Sequence, residues 1–223
     1  MNLLIIAATV REVEPLIEYF RLKSVQMNLF SGKINRNKVD CLITGIGMMA
    51  ATYQLTKTVR KNSYQLIINT GIGGSFREDL KPGTVVEVVK EQFADFGIDD
   101  NGIFRAVFEE KFIERNDFPF QDGALTNPVE HNFTQHLLNV AGVTVNISTG
   151  SDERIKAIKE KFNPDIESME GAAIFYVALQ EHIPFVEIRA VSNIVEPRNK
   201  KNWKISLAIE NLNSTLIGIF GKI

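Results

Sequence analysis

The sequence predicts an α/β protein with a largely parallel central sheet flanked by helices. Three observations predict it. Apolar runs recur at Leu3–Ala8, Gln65–Thr70 and Phe185–Val191, the last apolar apart from Glu187 and Arg189, as expected of buried strands. Helical spacing follows the first of them, at Val13, Leu16, Ile17 and Phe20. Strand and helix patterns then alternate through most of the chain, the order expected of a parallel sheet with crossover helices. At 223 residues the chain fits one domain, 1–223, with a substantial core.

Each element has its own justification. Thr9 and Glu12 form a capping-box pair at the first helix, so Glu12 has a structural role available to it. The same residue also stands at the carboxyl end of the first strand. Residues 25–34 read as a loose strand and Val39–Thr44 as a firmer one. Gly45-Ile46-Gly47 leads into a helix from Met48 to Arg60. That turn carries half of a dinucleotide fingerprint, but the acidic residue expected after the following strand is absent, which argues against NAD. The strand at Gln65–Thr70 ends in Gly71-Ile72-Gly73-Gly74-Ser75, whose glycines let the backbone approach a ligand and whose N–H groups can cradle an oxygen-rich group; a flexible turn is the alternative reading. Thr84–Val89 is a strand, and 91–126 reads as irregular. Pro128–Ala141 is expected to be a helix, Val143–Ser148 a strand, and Ser151–Phe162 a helix stopped by Asn163-Pro164. A last helix is expected from about Trp203 to Phe220.

The stretch 166–195 organises the rest. A short strand, Ile166–Ser168, gives way to Glu170 at a helix start, and the next strand stops at Ser192-Asn193. Ligands of open parallel sheets bind beyond the carboxyl ends of strands, so Glu170, Ser192 and Asn193 fall on one rim. Taken singly, a first-turn glutamate also serves the helix dipole, and Ser-Asn also makes a turn.

Composition excludes several classes. A net charge of -2 disfavours nucleic acid and anionic membranes as partners. The single cysteine, Cys41, has no internal partner, as suits a reducing, cytoplasmic setting. The N-terminal apolar run lacks a basic lead and reads as a strand, not a signal peptide. His131, His136 and His182 lack ligand spacing, so no metal and no cofactor are expected.

The combination of Glu12-Val13 after the first strand, Asn69–Gly74, Met169-Glu170-Gly171-Ala172-Ala173 and Arg189-Ala190-Val191-Ser192-Asn193 resembles the purine and uridine phosphorylase superfamily in its nucleosidase branch. The motifs keep the family's order over nearly the whole chain. The resemblance implies a phosphorylase/nucleosidase fold and cleavage of a purine nucleoside's N-glycosidic bond. Within the branch the chain looks most like the futalosine hydrolases, through Thr149-Gly150-Ser151, Glu167–Glu170 and Ser192-Asn193-x-Val195-x-Pro197-Arg198 with Trp203 downstream. That group releases hypoxanthine from futalosine in an alternative bacterial route to menaquinone.

By resemblance, Glu12 activates water, Met169 and Glu170 grip the ribose, and Gly73, Gly74, Arg189 and Ser192 belong to the substrate site. Adenine nucleosidases carry an aspartate where this chain has Asn193. An asparagine amide offers both a donor and an acceptor, matching N7–H and O6 of a departing 6-oxopurine. Arg198 is the candidate for the substrate's distal carboxylate and Trp203 for its aromatic ring. A methylthioadenosine/S-adenosylhomocysteine nucleosidase, a phosphorylase and a non-catalytic nucleobase-binding module are the alternatives. The resemblance also implies a homodimer or higher assembly, with Phe118–Phe120 as a contact.

Overall fold

The computed structural model describes residues 1–223. The first half contains β1 (Asn2–Ala7), α1 (Val10–Tyr19), β2 (Lys23–Gln26), β3 (Leu29–Ile34), β4 (Asn37–Ile43), α2 (Met48–Val59), β5 (Leu66–Ser75) and β6 (Val85–Phe93). Then follow β7 (Gly97–Asp100), β8 (Ile103–Ala106), β9 (Leu125–Thr126), β10 (Leu138–Thr144) and α3 (Asp152–Phe162). The chain closes with β11 (Ile166–Ser168), α4 (Gly171–Gln180), β12 (Phe185–Ile194) and α5 (Ile205–Phe220).

One mixed sheet runs in the order β11-β10-β6-β12-β5-β1-β4-β3-β2, with β9 on β6 and β7–β8 as a separate hairpin. A further pairing of β11 with β5 closes five strands into a ring: β5, β12, β6, β10 and β11. Val86, Val88, Val140, Ile166 and Val191, one or two from each of four of these strands, pack together as one apolar cluster. The open remainder of the sheet obeys the period of two. Leu3, Ile5 and Ala7 of β1 join the core that includes α1 and α5, whereas Leu4 and Ile6 join the core that includes α2 and α4. Helix α4, read from sequence as nearly uncharged, is correspondingly buried through Phe175 and Ala178. No helix is long and apolar enough to cross a membrane.

Three expectations are corrected. The segment 128–137 is a series of turns, not a helix, and β10 begins at Leu138. Val129, Phe133 and Leu137 mimic helical spacing, but the chain here is pinned to β12. Asn127 Nδ2 and His131 Nε2 both donate to Phe185 O, at 2.9 and 3.1 Å. The glycine run 71–74 is not a turn, because β5 passes straight through it to Ser75. Phe120 is not a surface contact: it is 7% exposed and packs against Phe93, Phe108 and Tyr176, whereas Phe118 is 61% exposed.

Candidate active site

A cleft of about 350 Å³ opens over the carboxyl ends of β1, β5 and β12. Glu12, Gly73, Gly74, Met169, Glu170, Ser192, Asn193 and Trp203 all line it, as do Arg11, Ile72, Thr149 and Glu167. The sheet explains the convergence. β5 lies between β1 and β12 in parallel register, so the ends of three strands deliver their following residues to one place.

Glu12 reaches the cleft from the first turn of α1. Its Oε2 accepts from Thr9 N–H and from Thr9 Oγ–H, both at 2.9 Å, and its Oε1 accepts from Ile72 N–H at 3.1 Å. The capping role and a place in the cleft therefore coexist. The carboxylate is held from three directions, which fixes where a water beside it would sit.

Glu170 holds the N-cap position of α4, but its side chain makes no bond to that helix; its Oε1 instead accepts from Gly47 N–H, at the start of α2, at 2.8 Å. Gly47 sits at φ +92°, a left-handed conformation that glycine adopts freely and that aims its N–H across the cleft. Burial pushes the Glu170 carboxyl above its ordinary range, offset in part by Arg189. Ser192 Oγ donates to Asn193 Oδ1 at 2.7 Å and lies 3.0 Å from Gly73 O. Asn193 Nδ2 donates to Ile194 O at 3.0 Å. One N–H and one oxygen lone pair of the Asn193 amide remain for a ligand.

The glycines of β5 serve close packing. A Cβ on Gly71 would run into the Arg189 guanidinium and stand 2.8 Å from Glu12 Oε1; one on Gly73 would stand 2.8 Å from the Glu167 carbonyl. None of Gly71, Gly73 and Gly74 has a positive φ.

Two expected site residues adjoin the cleft without lining it. Arg189 does not line the cleft. It is 1% exposed, donates from Nε to Glu187 Oε1 at 2.7 Å, and its guanidinium shares with Glu12 Oε1 the space that a Cβ on Gly71 would enter. A strand alternates its faces, so Arg189 shares Glu187's side of β12, where burial demands an ion pair. Arg198 also lies outside the lining. Its N–H bonds Gly150 O at 3.2 Å, and its guanidinium carbon sits 5.6 Å from the Trp203 ring centroid. Trp203 itself is carried to the cleft because Lys204 N–H bonds Ser192 O at 2.8 Å, tying the loop to the end of β12.

Sequence reasoning assigned no role to Glu167, which lines the cleft with its Oε2 buried and unpartnered. Its place follows from the pairing of β11 with β5, which no local pattern reveals. Glu91 was missed for the same reason. It is fully buried; Thr144 Oγ–H donates to its Oε2 at 2.8 Å, and its Oε1 has no partner.

Fold and cleft together define an α/β protein with a ligand site at the carboxyl edge of its sheet, lined by several carboxylates. The chain belongs to the phosphorylase superfamily, whose family model matches residues 2–216. Its similarities fall in the nucleosidase branch. A 5'-methylthioadenosine/S-adenosylhomocysteine nucleosidase of Haemophilus ducreyi is 25% identical over 96% of this chain and 95% of its own length. The Neisseria meningitidis enzyme of that name, solved with methylthio-immucillin-A, superposes with a TM-score of 0.84 at 20% identity, covering 100% of this chain and 99% of its own. A futalosine hydrolase structure from Helicobacter pylori gives 0.83 at 16% identity, covering 100% and 98%. The structural likenesses establish the fold.

Proposed function

We propose that this protein is a purine nucleoside hydrolase. The observation that carries the reading is the charge of the cleft: Glu12, Glu167 and Glu170 line it with Arg11, and the other cation near them, the buried Arg189, is already ion-paired to Glu187. A phosphorolytic site must hold an anion, and three carboxylates oppose one. The extended β5 glycines also form no anion-binding nest of the kind a turn would provide. Water is the nucleophile this lining favours. Glu12 accepts its proton, Glu170 accepts hydrogen bonds from the ribose hydroxyls as positive charge grows on the sugar, and Asn193 stabilises the departing base.

On the substrate, the sequence relatives support methylthioadenosine and S-adenosylhomocysteine, and this reading has the broader support. A specific observation favours a second reading, futalosine with release of hypoxanthine, as in the futalosine route to menaquinone. The base-side residue is Asn193, whose amide retains both a donor and an acceptor, whereas an ionised aspartate would face O6 acceptor to acceptor. Under this second reading the substrate carboxylate is met by Arg198, whose guanidinium carbon sits 5.6 Å from the ring centroid of the cleft-lining Trp203. A homo-oligomer, with exposed Phe118, Met49 and Tyr53 as candidate contact residues, is part of the proposal.

The test is base release from methylthioadenosine, S-adenosylhomocysteine, inosine and futalosine, each with and without phosphate. Phosphate-independent release from at least one is expected. Release that requires phosphate would overturn the hydrolase reading, and binding without release would point to a non-catalytic module.

A further inference from the structure

Beside the cleft runs a line of polar side chains that the reaction chemistry above does not use. Asn69 of β5 and Glu187 of β12 are lateral partners, and so are Gly71 and Arg189 two residues further on. Lateral partners share a face of a sheet, as do residues two apart, so the four positions lie on one face. Asn69 Nδ2 donates to Glu187 Oε2 at 2.8 Å, and Arg189 Nε donates to Glu187 Oε1 at 2.7 Å. Glu187 is wholly buried, and both of its oxygens accept, as a carboxylate's do. The space that a Cβ on Gly71 would need is taken by Arg189 Nη1, and Glu12 Oε1 would stand 2.8 Å from that Cβ. The line therefore passes from Asn69 through Glu187 and Arg189 to Glu12.

Arg189 is 1% exposed, and its bond to Glu187 is the one hydrogen bond its guanidinium makes; Nη2 is buried without a partner. A buried guanidinium needs a counter-charge. Four carboxyls face it: Glu12 from α1, Glu170 from the start of α4, Glu187 from β12 and Glu91 from β6. Glu91 is not the counter-charge. Its Oε1 has no partner and lies near Glu187 Oε1, since a Cβ on Gly171 would collide with the first and stand 2.8 Å from the second. Burial, and then the Glu187 charge, push the Glu91 carboxyl well above its ordinary range, toward its neutral form. Glu12 and Glu170 line the cleft, where a ligand engages them. Glu187 is the carboxylate bonded to Arg189 and to no part of the cleft.

We propose that Glu187 is a positioning residue: it holds the Arg189 guanidinium and cancels its charge, so that Glu12 works as a base beside a neutral ion pair and not beside a bare cation. Asn69 supports it by fixing the second carboxylate oxygen. The inference rests on the hydrolase reading and deepens it.

Glu187→Gln tests the charge with the geometry kept. The amide oxygen stays on Arg189 Nε, and the Asn69 amide turns over to accept from the new NH2. A cation within about 4–6 Å favours the ionised form of a carboxyl, so with the pair unbalanced the carboxyls facing Arg189 hold a proton less tightly. The acid limb of the turnover–pH profile, measured as phosphate-independent base release, should move down by about one pH unit. Plateau turnover should fall several-fold, because a base that binds its proton less tightly is a weaker catalyst. The double variant Glu187→Gln/Arg189→Gln removes both charges and should return the acid limb to its wild-type pH. Glu91→Gln exchanges one neutral group for another and should leave the limb in place. If Glu187→Gln does not fold, Glu187→Asp carries the test: the charge stays and the reach shortens, so the plateau should fall with the limb unmoved. An acid limb that Glu187→Gln leaves in place or moves up, that the double variant fails to restore, or that Glu91→Gln moves equally would overturn the role of Glu187. So would a displaced limb in Glu187→Asp, and each of these outcomes leaves the hydrolase reading standing. A wild type without phosphate-independent release from any purine nucleoside would overturn both.

Discussion

Replacing Glu12 by Gln isolates its chemistry from its capping role, because the amide keeps the shape and two of the three hydrogen bonds. Thr9 directs two donors at Oε2, and Ile72 directs one at Oε1. The amide oxygen will therefore turn toward Thr9, leaving NH2 against the Ile72 N–H. One bond is lost and one buried donor is orphaned, at a cost of about 1–3 kcal/mol. A domain of ordinary stability, about 5–15 kcal/mol, stays folded. Turnover has a different scale, since removing a general base costs roughly two to four orders of magnitude. The assay is base release at saturating nucleoside, with the Michaelis constant and the melting curve measured on the same preparation. The expected result is a small loss of melting temperature, a Michaelis constant within a few-fold of wild type, and turnover down at least a hundredfold. Turnover within tenfold of wild type, with the same melting loss, would reduce Glu12 to a helix cap.

Asn193→Asp places a carboxylate oxygen against Ile194 O, where Nδ2 now donates at 3.0 Å. Relative rates on 6-oxopurine and adenine nucleosides should shift toward adenine by roughly tenfold, and an unmoved preference would remove Asn193 from base reading. Glu91→Gln tests a stability effect. Full burial, and then the neighbouring Glu187 charge, raise the Glu91 carboxyl well above its ordinary 4.5. A folded value above the unfolded one means that wild type loses stability as pH rises from 4.5 toward the raised value, about 1.4 kcal/mol per unit in that window. The non-titrating amide escapes this loss, so its melting advantage should grow from pH 4 to pH 8; an advantage constant across that range would contradict the assignment. Gly71→Ala pushes a methyl into the Arg189 guanidinium and to within 2.8 Å of Glu12 Oε1. Overpacking of this kind costs about 1–3 kcal/mol, and turnover should fall with it; wild-type melting and turnover would mean the strand yields.

What the sequence disclosed was whatever local pattern could encode. β1, β4, α3, α4 and β12 announce themselves through apolar runs and end signals, and the Asn163 stop after α3 adopts the expected left-handed conformation. The motif residues Glu12, Glu170, Ser192 and Asn193 do meet in one cleft. The rest depended on pairing. Glycines ordinarily signal turns, but Gly71–Gly74 remain strand because β12 and β11 supply ladder partners and crowding neighbours. The apparent helix at 128–137 lost to hydrogen bonds with Phe185 O, a partner more than fifty residues away. Arg189 is ion-paired to Glu187 two residues before it on the same side of β12, a pairing that the motif alone does not record.

The double pairing of β5 has a consequence for motion. Leu66–Asn69 is bonded to β1 on one side while Ile67–Ser75 is bonded to β12, and its last two residues also pair with β11. Amides held in the middle of a sheet exchange with solvent only when a large cooperative unit opens. The floor of the cleft should therefore rank among the slowest-exchanging segments of the chain, while the β7–β8 hairpin, paired only with itself, exchanges early. A ligand settling on β5 would meet a surface already fixed. Protection gained on binding should appear in the loops at the rim, around Thr149 and Trp203, and hardly at all in the strand beneath.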